Sequence, residues 1–270
     1  MKKAEPVVII IPSRLGSSRL PGKPLAKIGD APMIVQVWRR AVEADAGRVI
    51  VACANTEIAD VVQDVGGEAV LTDPDLPSGS DRVFQALEKI DPGGMFDKIV
   101  NLQGDLPNLQ PKTISTVLAP LQDPEVDIAT LAAKIQDPEE RHDPNVVKVV
   151  AALGDTDATR IARALYFTRA VAPAGDGDLW HHIGVYAYRR AALVKFVGLR
   201  PSSLELREKL EQLRALEAGM RIDVARVSDV PLGVDTPADL VKVRPVSYTH
   251  LRVHETDSYL VCRLLLEKKK

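Results

Sequence analysis

Cysteine is nearly missing from this sequence: Cys53 and Cys262 are the two in 270 residues. They offer no disulfide framework, which suits a reducing cytoplasm. No apolar run approaches the ~20 residues needed to span a bilayer, so no membrane association is expected. The basic start, MKKAEPVVIII, holds an apolar run too short for a secretory leader and passes into a strand. An excess of charge of one sign is also lacking. The 35 Lys+Arg against 37 Asp+Glu leave a formal net charge of −2, so no global basic field favours nucleic acid. Any anion site must be local. What is present is ordinary for a globular protein, 46% hydrophobic and 27% charged residues, and the length allows one large or two small domains.

The two commonest phosphate loops are missing as well. A Walker A loop has four residues between its glycines and a Ser or Thr after the lysine. Here five residues separate Gly16 from Gly22, and Pro24 follows Lys23. GxGxxG does not occur near the first strand either. In their place stands VVIIIPSRLGSSRLPGKPL, Val7 to Leu25. Val7 to Ile11 reads as a buried strand, and Pro12 is expected to stop it. The loop then carries Arg14, Arg19 and Lys23 among its glycines, prolines and serines. Pro32 suits the first turn of the next helix, whose face would hold Ile34, Val37, Trp38, Ala41 and Val42. Strand, basic glycine loop and helix can hold a polyphosphate, because glycines let backbone N–H groups approach and cations neutralise charge.

Further along, strands alternate with helices. Strands are expected at Val49 to Ala54, Glu68 to Leu71 and Ile99 to Leu102. Helices are expected from Thr56 to Val65 with Asn55 as cap, after Ser78-Gly79-Ser80, and from Pro111. That alternation predicts parallel βαβ units in an open α/β sheet, with ligands beyond the carboxyl ends of the strands. The loops 12–24, 73–82 and 103–108 lie there. From 126 the pattern becomes a mixed, partly antiparallel insert, with strands at 126–135, 146–153, 160–168 and 183–188. Helices follow at 190–197 and 203–218, the second with Leu206, Leu210, Leu213 and Leu216 as its stripe. Ile222 to Val227 is the last strand, and Thr236 with Asp239 marks a helix start.

The first loop resembles the opening motif of the 3-deoxy-manno-octulosonate (Kdo) cytidylyltransferase family, the CMP-Kdo synthetases. The likeness continues through SGSDR (78–82), NLQGDLP (101–107), PNVVKVV (144–150), ARALYFTRA (162–170), HIGVYAYR (182–189), EQLRAL (211–216) and GVDTPADL (233–240). It covers about residues 5–244, in order. It implies an open, mostly parallel Rossmann-like nucleotidyltransferase sheet with a mixed-strand insert for sugar binding and dimerisation. The nucleotide-binding half would be about 5–125 and the sugar-binding half about 126–244. The implied reaction joins CTP and Kdo into CMP-Kdo with release of pyrophosphate, in a cytoplasmic homodimer serving lipopolysaccharide synthesis. A sister enzyme using 8-amino-Kdo or a sialic acid is the nearer alternative; a non-catalytic nucleotide-binding module is the farther one.

The resemblance also implies roles. Asp105 and Asp235 would hold Mg²⁺, the cofactor, and would be catalytic with Lys23. Pro12, Arg14, Arg19, Lys23 and Arg82 would contact the nucleotide, and Gln103, Arg169, His182, Tyr186, Glu211 and Gln212 the sugar. On residues alone, each has a plainer reading. Asp105 suits a turn, Asp235 a helix N-terminus, Gln103 a polar strand end and Arg82 an exposed helix. A lone His182 is more often a structural hydrogen-bonder. Glu211 and Gln212, adjacent on a helix, would face different ways. One departure from the family stands at position 106: QGDEP there reads QGDLP here, removing a carboxylate beside the metal position. Residues 245–270 have no clear period and resemble translated vector or adapter sequence. They are left out of the fold reasoning, with His250, His254 and Cys262.

Overall fold

The computed structural model describes residues 6–16 and 19–243. The tail 245–270, set aside on its sequence, lies outside the described residues. Strand β1 spans Val7–Ser13. Pro12 lies inside it rather than ending it. The Ile10 carbonyl accepts from Leu102 N–H, and the Ser13 carbonyl accepts from Ala54 N–H. Even-numbered positions of β1 thus face one neighbour and odd-numbered positions the other. The neighbour on the even side stops at Asn101, opposite Ile10. The N–H that proline lacks would have had no ladder partner there.

A small hairpin, β2 (Lys27–Ile28) and β3 (Ala31–Pro32), leads into α1 (Met33–Glu43). Next come β4 (Arg48–Cys53), α2 (Thr56–Gln63), β5 (Glu68–Leu71), α3 (Gly79–Ile90), β6 (Lys98–Asn101) and α4 (Pro111–Val117). These match the expected elements to within a few residues. Val42 is exposed, so the buried face of α1 is Ile34, Val37 and Ala41, with Trp38 packed at its edge. The second half holds β7 (Ile128–Lys134), β8 (Lys148–Ala151), β9 (Ile161–Thr168), β10 (Trp180–Arg189), α5 (Arg190–Val197), α6 (Ser203–Glu208), α7 (Leu213–Glu217) and β11 (Ile222–Val227). A final helical segment runs over 237–243.

The expected long helix 203–218 is therefore two short ones. Lys209 takes a left-handed conformation at φ 56° and ends α6, and Leu210 turns into the core. Arg214 Nε donates to Glu205 Oε2 at 2.8 Å and braces the two helices across the break. Leu206 points to solvent. Glu211 and Gln212 consequently sit in the connection, not on a continuous helix.

The main sheet has nine strands in the order β5-β4-β1-β6-β10-β7-β11-β9-β8. It is mixed: four pairings are parallel and five antiparallel. The sheet is therefore not the mostly parallel one expected from the alternation: an all-parallel run exists only in the flank β5-β4-β1-β6, with one further parallel pair, β7 with β11. β10 runs antiparallel to both β6 and β7, and β8 returns to touch it at His181 opposite Lys148. Strands β10, β7, β11, β9 and β8 so form a closed ring at one end of the sheet. Alternate residues of β1 feed two cores, as a two-residue period requires. Ile9 and Ile11 pack with α1, α2 and α4, whereas Val8 and Ile10 pack with α3 and α5. Among the described residues, no helix is long and apolar enough to cross a membrane.

Candidate active site

Beyond the carboxyl end of β1 lies an open cleft of about 390 Å³, lined by Pro12, Arg14, Arg19, Lys23, Arg82, Gln103, Asp105 and Asp235 among others. The loop after β1 is anchored by Asn55, whose Oδ1 accepts from Leu15 N–H at 3.1 Å. The sequence suggests Asn55 as a helix cap, but its side chain makes no cap bond. Gly22 adopts φ 67° and turns the chain into a short helical turn at Lys23–Leu25, a conformation glycine takes without steric cost.

That turn aims Lys23 at two carboxylates. Its Nζ donates to Asp105 Oδ2 at 2.8 Å and to Asp235 Oδ1 at 3.0 Å. Arg19 lies 3.2 Å from the other oxygen of Asp235. Burial opposes the charge on Lys23, but the two aspartates outweigh it and its pKa is raised. Gly104 sets Asp105 in place: a Cβ there would stand 3.1 Å from the Pro12 carbonyl oxygen, tighter than side chains normally pack. Asp235 arrives through a backbone bond, Val234 N–H to the Asp105 carbonyl at 3.0 Å. Leu106 is buried beneath this joint beside Gly233. The N-terminus of the last helical segment is capped by others. Thr236 Oγ1 accepts from Asp239 N–H at 3.2 Å, and Asp239 Oδ2 accepts from Thr236 N–H at 2.9 Å. Asp235 also donates its N–H to Asp239 Oδ2, at 3.2 Å. Its carboxylate thus remains for Lys23 and Arg19.

Arg82 is buried rather than exposed on its helix. Its guanidinium donates to Thr72 Oγ1 and to the carbonyls of Asp73 and Pro74, so it holds the rim 72–74. Burial, with Arg14 nearby, lowers its pKa.

A second polar cluster sits behind the cleft on β10. Tyr186 faces Asn101 across the β6–β10 ladder. His182 lies 5.5 Å from the Tyr186 ring and 4.9 Å, edge on, from Phe167. Its Nε2 is 3.0 Å from Thr130 Oγ1. Thr130 has one hydroxyl proton, and the carbonyls of Ile183 and Val185 lie within reach of it. The imidazole Nε2–H therefore donates to Thr130. Burial, and then His181, depress the His182 pKa to about 3, so the ring is neutral at physiological pH. Burial likewise raises the pKa of Tyr186 well above that of a free phenol.

Glu211 Oε2 accepts from Ser80 Oγ at 2.9 Å, tying this cluster to the start of α3 and hence to the cleft. Several buried polar atoms here have no hydrogen-bond partner among the described residues: Asn101 Oδ1 and Gln212 Nε2, with Ser13 Oγ at the end of β1, and Glu211 Oε1, which has only a longer ion pair with Arg214 at 3.6 Å. Native interiors rarely leave such atoms unpaired without a ligand or water in view. Glu211 and Gln212 both carry one, although adjacent helix residues would have diverged. Arg169 stands apart. It follows β9 and donates to the carbonyls of Glu208 and Pro144 at 2.9 and 2.8 Å. Ser80 and Asn101 are the residues that sequence patterns did not single out. Ser80 and Asn101 lie inside quoted motifs, SGSDR and NLQGDLP, where position in the motif was the available signal.

The donors suit a hard divalent cation. Two carboxylate oxygens already converge on one cation, the Lys23 ammonium, and Mg²⁺ needs only one or two carboxylates when phosphate oxygens and water complete its shell. No group of three or more His, Cys, Asp or Glu side chains could hold a metal by itself among the described residues.

A family model described as cytidylyltransferase matches residues 8–222. A 3-deoxy-manno-octulosonate cytidylyltransferase from Parvibaculum lavamentivorans is 65% identical over 237 residues, 88% of this chain and 91% of that protein. The enzyme of the same name from Paramagnetospirillum magneticum is 59% identical over 237 residues, 88% of this chain and 96% of its own. A solved structure of a CMP:2-keto-3-deoxy-manno-octonic acid synthetase in complex with CTP superposes with a TM-score of 0.83 at 38% identity, over 91% of this chain and all (100%) of that one.

Proposed function

The chain belongs to the 3-deoxy-manno-octulosonate cytidylyltransferase family, and from that premise we propose how its residues divide the transfer of CMP from CTP to Kdo. It is a nucleotidyltransferase with the α/β fold of that family. The anomeric hydroxyl of Kdo attacks the α-phosphorus of CTP, a new O–P bond forms, the α–β phosphoanhydride bond breaks, and pyrophosphate leaves. The chemistry asks for positioning and charge neutralisation more than for a protein nucleophile. Neither His182 nor Cys53 is poised as a nucleophile: the imidazole is neutral and hydrogen-bonded, and burial pushes the Cys53 thiol up to about 12.

Arg14, Arg19 and Lys23 would bind the triphosphate and steady the departing pyrophosphate. Pro12 and the Arg82-braced rim would shape the nucleotide side of the cleft. Asp105 and Asp235 would hold Mg²⁺, which when bound supplies a Lewis acid for the α-phosphate. Gln103, which lines the cleft two residues beyond Asn101, would contact the sugar. Asn101, His182, Tyr186, Glu211 and Gln212 would orient the sugar, and Arg169 would answer its carboxylate only after leaving the carbonyls of Glu208 and Pro144. The observation that carries this reading is the pair of unpaired buried polar atoms, Asn101 Oδ1 and Gln212 Nε2, beside a cationic cleft. A polyhydroxylated acid sugar would pair them.

The experiment is pyrophosphate release with CTP and Mg²⁺ against a panel of Kdo, 8-amino-Kdo and a sialic acid. Kdo should give the highest kcat/KM; a preference for either rival would move the assignment to that sugar. We read β9 as part of a homodimer contact, since Ile161 and Leu165 expose apolar side chains on one of its faces. Sedimentation of wild type against Leu165→Glu tests that. The reaction is placed in the cytoplasm, in keeping with a free, buried Cys53.

A further inference from the structure

Three of the four carboxylate oxygens of Asp105 and Asp235 are taken by the chain's own cations. Lys23 Nζ bonds one oxygen of each aspartate, at 2.8 and 3.0 Å, and Arg19 reaches the second oxygen of Asp235 at 3.2 Å. Both carboxylates are held from behind, by the Val234–Asp105 backbone bond and by Asp235 N–H on Asp239. Two anions fixed this close repel each other unless a cation lies between them. We propose that Lys23 is a place-holder cation: in the unliganded enzyme its ammonium occupies the position between Asp105 and Asp235, and the triphosphate must draw it away before a divalent cation can bind there. Nucleotide binding thus precedes metal binding. The inference rests on the reading that these two aspartates hold the metal.

The chemistry of the three groups supports this order. An ammonium and a dication cannot share two carboxylate oxygens, because their repulsion at a few ångström is far from negligible even near solvent. Phosphate oxygens offer Lys23 charge-assisted acceptors as good as those it leaves. Its unbranched four-carbon stem can swing between the two sets. Arg19, with its side chain 65% exposed, is already at the solvent edge.

The test reads metal binding and not turnover. Mn²⁺ affinity is measured by electron paramagnetic resonance without nucleotide on wild type, Lys23→Gln, Lys23→Met and Lys23→Arg, each checked for folding by thermal melting. Both neutral variants should bind Mn²⁺ roughly tenfold or more tightly than wild type, and Lys23→Arg should stay close to wild type. In parallel, protein-bound Mn²⁺ in the presence of CTP is read by water-proton relaxation for wild type, Asp105→Asn and Asp235→Asn. If the neutral Lys23 variants bind Mn²⁺ no more tightly than wild type while the asparagine variants lose it, the place-holder is overturned and the metal site stands. If the asparagine variants keep full Mn²⁺ binding with CTP, the metal assignment fails and takes the place-holder with it.

Discussion

In the cleft, Lys23, Asp105 and Asp235 have side chains 15%, 30% and 47% exposed and bond one another. On β10, His182, Tyr186 and Tyr188 carry polar groups too, but burial holds each in its neutral form. The two regions are joined by the Ser80–Glu211 hydrogen bond and by β6, whose Asn101 lies opposite Tyr186. The cleft places its charges where water and ligand charge can exchange with them, since a buried ion costs far more than an exposed one. The cluster places neutral donors and acceptors where burial sharpens their directionality, since hydroxyl groups of a ligand carry no charge to match. A phosphate-binding region and a sugar-binding region would differ in this way.

The largest expected effect is a stability lesion that belongs to the cluster alone. The unfolded chain binds a proton on His182 below its ordinary pKa of 6.5, while the folded chain refuses it until about pH 3. Stability should therefore fall as pH drops through that window, by about 1.4 kcal/mol for each pH unit. Urea denaturation of wild type and His182→Asn at pH 7 and pH 4 checks it. The variant should show the shallower dependence, and equal slopes would remove His182 as the cause.

A loss next in size should belong to the cleft alone. Asp105→Asn and Asp235→Asn should each lower turnover by roughly 10²–10³-fold, the scale of removing one charge-stabilising group. If the two act as one unit, the double variant should be little worse than the poorer single. Multiplying losses in steady-state kinetics would mean two independent roles. The smallest effect separates capping from chemistry. Thr236→Ala should cost about 0.5–2 kcal/mol of stability with an unchanged Mg²⁺ requirement. A raised Mg²⁺ requirement would show that the cap positions Asp235.

Much of this contrast is legible in the sequence on the cleft side. The basic loop, Asp105 after a strand and Asp235 before a helix are local patterns, and chain order places them on one sheet edge. The cluster is harder to read, because burial and pairing come from distant partners. His182 is neutral because Phe167, Thr130 and Tyr186 enclose it, and no spacing announces that. Glu211 and Gln212 read as diverging helix neighbours because Leu206, Leu210 and Leu213 mimic a stripe. The break comes from the left-handed Lys209, a residue with no special preference for that conformation. The mixed sheet escapes the pattern because β10 enters between β6 and β7 from far along the chain. Pro12 reads as a strand end because the early stop of β6 is invisible in β1 itself.

The ion pair between Lys23 and Asp235 joins residues 212 positions apart. At ribosomal speeds of 5–20 residues per second, roughly 10–40 s separate the synthesis of the two. For the first 82 of those residues Asp105 is unmade as well; after that the chain carries Lys23 and Arg19 with one of the two carboxylates, and Asp235 is still untranslated. A nascent chain at that stage cannot yet assemble the anionic pair. The last part of the cleft to be made is the segment around Val234 and Asp235, which a backbone bond to Asp105 ties to the rest.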